Sequence, residues 1–326
     1  MKKAGILLLL AVLIAGAYFK IDYLAEPISP EEPELFVIES GSSVRAIARQ
    51  LEQEGWIKSA RLFEIYVIIN DYQGSLQAGT YQFQDGEDLF AIANRLVTGQ
   101  IASFRITIPE GFTVDEIIER LAGFEHLSET DLIQVLEDDR LIRDYFPENQ
   151  EVEWPQEGFL FPDTYNFSYE MEPAAIFNTM INRFENRWLE RFENAEDTYT
   201  INEYVTMASL VEKEAQLIEE KSLIAGVIYN RLARNMRLQL DATVQYVLES
   251  RVSRVLYGHL EIDSPYNTYL INGLPPGPIA SPGDDALAAV LEPEESDYLF
   301  YFARPDGSHV FTETYEEHLE RLREFR

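Results

Sequence analysis

The ten residues MASLVEKEAQ (207–216) carry two glutamates inside an apolar, helix-periodic stretch. On a helix at about 100° per residue, Leu210, Val211, Glu214 and Ile218 fall within about 60° of Met207, on one apolar stripe. Glu212 falls on roughly the opposite side, among polar positions. The two acids therefore differ in kind. Glu212 reads as a surface acid. Glu214 interrupts the apolar face, where loss of hydration disfavours the carboxylate and raises its pKa. A carboxyl kept partly protonated near neutrality is what a general acid for glycosidic cleavage needs. An acid emerging at the edge of a core, paired with Lys213, Lys221 or an arginine, has the same periodicity, so this stretch alone leaves both readings open.

Working outward, a helix over 222–233 contains Tyr229-Asn230-Arg231-Leu232. MRLQLDATVQY (236–246) follows, with Asp241 placed to cap another helix. SPYNTYLINGLPPGPIASPG (264–283) packs five prolines and three glycines into twenty residues. Turn formers at that density, with Tyr266, Asn267 and Tyr269 at the start, mark a site loop rather than a connector. A tyrosine ring covers the apolar face of a sugar, and an asparagine amide bonds hydroxyl and acetamido groups. Upstream, EGFLFPDTY (157–165) is another turn-rich loop with aromatics, and one long helix is expected over 173–193.

The chain has 326 residues, enough for two domains and an appendage, with 46% hydrophobic and 25% charged residues. Its net charge of -31 sets nucleic-acid binding aside, because so acidic a surface is repelled by phosphates. Cysteine is absent, which excludes disulfides, thiolate catalysis and Cys-type zinc sites. Four scattered histidines (His126, His259, His309, His318) lack metal-ligand spacing, so neither a metal nor a cofactor is expected.

MKKAGILLLLAVLIAGAYFK (1–20) has two lysines, then apolar or small residues from Ala4 to Phe19. It reads as a membrane anchor with a cytoplasmic start; Ala15-Gly16-Ala17 keeps a cleaved signal peptide open. The expected division is an anchor at 1–20, an acidic proline-bearing spacer at 21–34, a repeat domain at 35–106 and a catalytic domain at 107–326. The repeat is visible in GSSVRAIARQL from Gly41, GEDLFAIANRL from Gly86 and GFTVDEIIERL from Gly111. Apolar residues stand three, six and ten positions after each glycine, and Ser42 or Ser43, Asp88 and Thr113 are N-cap candidates. An alternating, strand-like run precedes each glycine. These units look like LysM modules, which bind N-acetylglucosamine-containing glycans; a small α+β spacer or docking domain fits the same pattern.

Taken together, MASLVEKEA (207–215), VIYNRL (227–232), MRLQLDATVQY, the loop at 264–283, EGFLFPDTY and the anchor followed by LysM-like units resemble the YceG-like endolytic murein transglycosylases, also called MltG, nearly end to end. The resemblance implies an α+β protein with an N-terminal anchor in the inner membrane, a LysM-like strand-helix repeat domain and a lysozyme-like catalytic domain on the periplasmic side. It implies cleavage within nascent peptidoglycan glycan strands, with peptidoglycan synthases as neighbours. Glu214 aligns with the family's essential glutamate. Ala215 departs from the family, where a hydroxyl residue is usual. The implied reaction is non-hydrolytic: Glu214 protonates the oxygen between N-acetylmuramic acid and N-acetylglucosamine, then takes the proton of the muramyl C6 hydroxyl as it attacks C1, leaving a 1,6-anhydro end. Tyr266, Asn267, Tyr269 and Gln245 are the candidates for holding the sugar, with Asn230, Arg231, Asp241 and Asp163 in support. Two other readings stand beside it. One is a muramidase that uses water with Asp163 or Asp241 as second carboxylate. The other is an anchored glycan-binding scaffold without turnover.

Overall fold

The computed structural model describes residues 16, 18, 20–28, 35–138, 141, 143–146, 152–195, 198–248, 252 and 255–324. Most of the apolar segment from Ala4 to Phe19 lies outside them. Among the described residues no helix is long and apolar enough to cross a membrane. The chain forms two compact units, one reaching Phe104 and taking back Asn166–Met171, the other built from Arg105–Tyr165 and Glu172–Arg326.

The local logic of the first unit is a strand, a left-handed glycine and a capped helix. Strand β1 (Phe36–Ile38) leads through Gly41 (φ 83°) to helix α1 (Val44–Gln53), whose first turn is capped by the Ser43 hydroxyl. Helix α2 (Ala60–Ile69) follows, and β2 (Gly79–Tyr81) leads through Gly86 (φ 84°) to α3 (Leu89–Thr98), capped by Asp88. A side chain at either glycine would strain this backbone, whereas glycine adopts it freely. The two strands pair antiparallel, Phe36 opposite Tyr81, so the two repeats close on each other rather than stack. Ile47, Leu51, Leu89, Ile92 and Leu96 are buried with Phe36, Phe63 and Tyr81 in one core. Each such side chain contributes about 1.5–3 kcal/mol. Within the stretch read as a spacer, residues 21–25 are helical. Ala25 there is buried in the same core, and Lys58 donates to the Tyr23 carbonyl and pairs with Glu26.

Strands β3 (Ser103–Thr107) and β4 (Thr164–Ser168) form a two-stranded sheet in which the chain passes between the units. The third repeat lies in the second unit. Gly111 opens α4 (Val114–Ala122), where Thr113 and Glu116 form a reciprocal capping box. Helix α5 (Glu129–Leu136) and helix α6 (Pro173–Phe184) follow; α6 does not continue evenly to 193 but passes through a π-helical turn, Glu185–Leu189, that buries Trp188.

Helix α7 (Ile201–Glu214), entered through a Thr200–Glu203 capping box, is the centre of this unit. Tyr204 to Val211 are all buried, so the helix has no solvent face along that stretch. It packs against α8 (Lys221–Ala233) and α10 (Asp284–Leu291), with the short α9 (Asp241–Tyr246) near its C-terminal end. The antiparallel hairpin β5 (Phe300–Ala303) and β6 (His309–Thr312) precedes α11 (Tyr315–Glu324).

Candidate active site

Glu214 is the last residue of α7. The helix stops there because Ala215 turns extended, at φ -76° and ψ 128°. Ile218 therefore leaves the helical stripe and is exposed. The half-buried Glu214 carboxyl accepts the Tyr301 hydroxyl at 3.1 Å on Oε2 and a backbone N–H from Ala242. Burial raises its pKa above the ordinary carboxylate range, and the negative charge of Asp241 adds to this. Tyr301, the Ala242 N–H and His309 pull the other way without cancelling it. The group is a carboxyl biased toward its neutral form and supplied with donors that receive its charged form.

Tyr301 sits on β5, 87 positions from Glu214 in sequence. Burial and the Glu214 charge push its hydroxyl well above the ordinary value, so it acts as a donor. His309, two positions from Tyr301's cross-strand partner Phe311, lies on the same sheet face, its ring edge-on to Tyr301 at 5.4 Å. Its Nδ1 is 2.7 Å from Glu220. The hairpin had a readable signal, apolar runs flanking the turn residues Pro305, Asp306 and Gly307, which the reading of the chain left unused.

The supporting residues act on this hairpin and on α9. Asn230 donates its amide to the carbonyls of Ser296 and Tyr298. Arg231 donates to Leu299 and Leu238 at 2.6 Å each, with its guanidinium over the Phe300 ring. Together they fix the extended chain that delivers Tyr301, and they hold that segment rather than the Glu214 helix itself. Asp241 is not the cap of α9: Leu240 occupies that position, and the Asp241 carboxylate accepts the Tyr269 hydroxyl at 2.6 Å. The Thr268 hydroxyl accepts the Leu240 N–H and meets Thr243, which locks the start of the 264–283 loop onto α9.

The four sugar-contact candidates divide. Gln245 and Tyr266 line a cleft of about 570 Å³ together with Lys213, Ala242, Tyr246 and Thr113. Gln245 also holds Val252 through both its amide oxygen and nitrogen. Tyr269 faces Asp241. Asn267 is fully buried; its amide bonds the carbonyls of Leu260 and Ile262 and its oxygen accepts the Tyr269 N–H, so no atom is left for a ligand. Its polarity serves to staple the loop. Asp163 is held by Arg183 at 2.6 Å and accepts the Thr164 N–H at the start of β4.

Glu212 corrects the helical-wheel reading. Its side chain is only 10% exposed. It accepts the Lys221 ammonium at 3.0 Å and the Gly283 N–H at 3.1 Å, pinning the end of the 264–283 loop to α7 and α8. Glu110 approaches the same Lys221 at 4.0 Å. A Cβ at Gly283 would displace the Glu110 carboxylate, the free end of a half-exposed side chain. The wheel failed because it assumes that a polar face meets water, and α7 is enclosed by protein. A larger hollow, about 970 Å³ between Trp188, Tyr199 and Tyr229, contains none of Glu214, Tyr301 or Asp241. Among the described residues no group of His, Asp and Glu is placed to hold a metal.

Known proteins are similar to this chain along most of its length. An endolytic murein transglycosylase of Bacillus subtilis (strain 168) is 38% identical over 323 residues, covering 94% of this chain and 89% of that protein. One from Streptococcus pneumoniae serotype 2 (strain D39 / NCTC 7466) is 29% identical over 346 residues, covering 96% of this chain and 63% of that protein. The crystal structure of a yceG-like protein from Listeria monocytogenes aligns with a TM-score of 0.61 at 34% identity, covering 89% of this chain and all of that one. Residues 36–324 match the family model, and the chain belongs to the YceG-like family.

Proposed function

We propose that this protein is an endolytic peptidoglycan lytic transglycosylase in which Glu214 is the acid and then the base. The observation that carries the site is the Glu214 carboxyl itself, shifted toward its neutral form by burial and held at Oε2 by Tyr301. The identity to an endolytic murein transglycosylase over nearly the whole chain supports the reaction class.

In the first step neutral Glu214 gives its proton to the oxygen joining N-acetylmuramic acid to N-acetylglucosamine, and the C1–O bond breaks. The resulting carboxylate is received by Tyr301 and the Ala242 N–H, two donors already in place. It then takes the proton of the muramyl C6 hydroxyl as that oxygen bonds to C1, which closes the 1,6-anhydro ring and restores neutral Glu214. One carboxyl suffices because the nucleophile belongs to the substrate. The cleft beside Ala242 holds the strand, with Tyr266 and Gln245 against it. Cleavage inside a growing strand ends its elongation.

A hydrolytic muramidase is the second reading, favoured by one observation: the Asp241 charge acts on Glu214. Tyr269 occupies one oxygen of Asp241, which leaves a single oxygen to hold a water. The deciding experiment is mass spectrometry of products from uncrosslinked glycan strands, wild type beside Glu214→Gln. Anhydro-ended products that vanish in the variant support the proposal. Products heavier by one water and reducible by borohydride would establish the hydrolase. Equal degradation by both proteins would remove Glu214 from the chemistry.

The remaining assignments complete the proposal. The segment from Ala4 to Phe19, behind Lys2 and Lys3, anchors the protein as a single pass in the inner membrane, with its start cytoplasmic and its body on the outer side. The strand-helix-helix-strand unit with its own core acts as a LysM-like module that keeps the enzyme on glycan, near peptidoglycan synthases. The second unit is the lysozyme-like catalytic domain.

A further inference from the structure

Glu157 is a buried acid that the reaction above does not use. It is 1% exposed and lies at the turn before Gly158. Its Oε2 accepts the Val114 N–H at 3.2 Å and the Tyr246 hydroxyl at 3.3 Å, while its Oε1 has no hydrogen bond of normal geometry. Beside it, the Tyr266 hydroxyl is buried without a hydrogen bond of normal geometry, and its ring lies 4.9 Å from that of Tyr246. A carboxylate with one oxygen poorly bonded in such a place is costly, whereas the neutral acid is tolerated.

The position of Tyr246 gives this carboxyl a reach beyond its own pocket. Tyr246 is four residues after Ala242 in α9, one helical turn away on the same face, and both line the cleft. Ala242 supplies the backbone N–H that meets Glu214. A helix of six residues has little rigidity of its own, so its orientation depends on what holds its far end. At that end Tyr246 is tied to Glu157, beside Gln245, which is tied to Val252.

We propose that the neutral Glu157 carboxyl is a positioning residue for the reaction, fixing through Tyr246 the turn of α9 that brings the Ala242 N–H to Glu214 and walls the cleft. The proposal rests on Glu214 being the acid-base group. Burial pushes the Glu157 carboxyl up to about 8, so it is neutral at ordinary pH. The groups facing it are the Val114 and Gly158 N–H, Tyr246, and the charge of Asp115, with Tyr266 and Glu153 coupled to the same tyrosine pair. Lys213 is the cation lining the adjoining cleft. On ionisation the bonds from Tyr246 and Val114 strengthen, but the charge shared by the poorly bonded Oε1 faces Asp115 in a buried pocket; the carboxylate turns toward water, α9 tilts with it, and Glu214 loses a donor.

The test is kcat and KM for uncrosslinked glycan strands from about pH 6 to about pH 9, using the full chain as wild type, Glu157→Gln, Glu157→Ala and Tyr246→Phe. The expected result is about a tenfold loss of kcat in Tyr246→Phe and Glu157→Ala, with KM changed less. Glu157→Gln, which mimics the neutral acid, restores kcat at neutral pH and declines less steeply than the wild type on the alkaline side, keeping only the limb that belongs to Glu214. An alkaline limb in Glu157→Gln identical to that of the wild type overturns the proposal, as does an undiminished kcat in Tyr246→Phe. If Glu157→Ala does not fold, the other two variants decide alone. Glu214→Gln in the same series separates the two ideas: activity there defeats the acid-base assignment, whereas an inactive Glu214→Gln with an unshifted Glu157→Gln profile defeats only this one.

Discussion

The Tyr301 hydroxyl donates to Oε2 of Glu214 at 3.1 Å, joining a hairpin strand to the last residue of the central helix. A single hydrogen bond here serves two protonation states unequally. It is stronger to the carboxylate than to the neutral acid, so it opposes the upward pull of burial and readies the site for the charge that appears once the proton has left. Because Tyr301 is itself shifted far above its ordinary value, it keeps its proton throughout.

Replacing Tyr301 by Phe removes that donor and leaves burial less opposed, so the Glu214 pKa moves further up. A hydrogen bond to a charged group contributes about 1.5–3 kcal/mol, which predicts a loss in kcat of about tenfold to a hundredfold. The sign fixes the pH behaviour: the alkaline limb of kcat/KM that reports Glu214 should shift to higher pH in Tyr301→Phe. A kcat/KM profile unmoved on the pH axis would show that the hydroxyl does not sense the Glu214 charge.

Asn230 and Arg231 act one step further out. Five carbonyls, those of Ser296, Tyr298, Leu299, Leu238 and, at 3.4 Å, Arg237, take hydrogen bonds from these two side chains. Arg231→Lys keeps a charge but loses the planar fork and the stacking on Phe300. The expected outcome is a fall in kcat of roughly tenfold with a loss of about 1–3 kcal/mol in stability, since carbonyls are left without donors. Denaturant unfolding beside steady-state kinetics measures both. Full activity in a destabilised Arg231→Lys would show that the strand keeps Tyr301 in place without help.

These two cases show what could be read from the chain alone. The strand, glycine and helix units were legible because all their determinants are local: apolar spacing, the caps Ser43, Asp88 and Thr113, and a glycine ahead of each helix. Glu214 stood out because a carboxyl in an apolar stretch is a conflict visible in sequence. Tyr301 was invisible for the opposite reason, since nothing within several residues of it says that a strand 87 positions away will face Glu214. Glu212 and Asn267 were misread by one shared assumption, that a polar side chain in a polar neighbourhood faces water or ligand. Both turn inward and bond backbone groups of the 264–283 segment and its neighbours.

Glu157 also ties stability to pH. In the unfolded chain a glutamate titrates at about 4.3, and in the folded chain burial holds this one at about 8. Between those values the folded state keeps a proton that the unfolded state has lost, so stability falls as pH rises through the window. The contribution is complete below the lower value and gone once the pH has passed the upper one. Glu157→Gln cannot titrate, so the stability difference, variant minus wild type, should grow from about pH 5 to about pH 8 by an amount on the order of a few kcal/mol. Other acids with raised values, Glu110 and Glu214, are present in both proteins and cancel in the difference. Urea unfolding at a series of pH values makes the measurement. A difference that stays flat across the window would mean that Glu157 is ionised in the folded protein.

Lys221 gives the sharpest stability prediction. Its side chain is 7% exposed, it bonds Glu212 at 3.0 Å, and Glu110 stands 4.0 Å away on the other side. Lys221→Met would leave two acids facing each other with no cation between them. Breaking a buried pair from one side costs about 3–5 kcal/mol, because the remaining charge is left without its counterpart. Half of the Glu110 side chain remains exposed, so solvent screens that member and the lower end of the range is expected. The double variant Lys221→Met, Glu212→Gln removes one of the two charges yet keeps an oxygen to accept the Gly283 N–H. It should recover most of the loss, and the coupling energy from the full cycle should be clearly non-zero. Activity should follow the same order, since this cluster pins the loop that begins at Tyr266 and Asn267 and ends at Gly283. A single variant that unfolds at the wild-type urea concentration would show that Lys221 contributes little beyond filling its space.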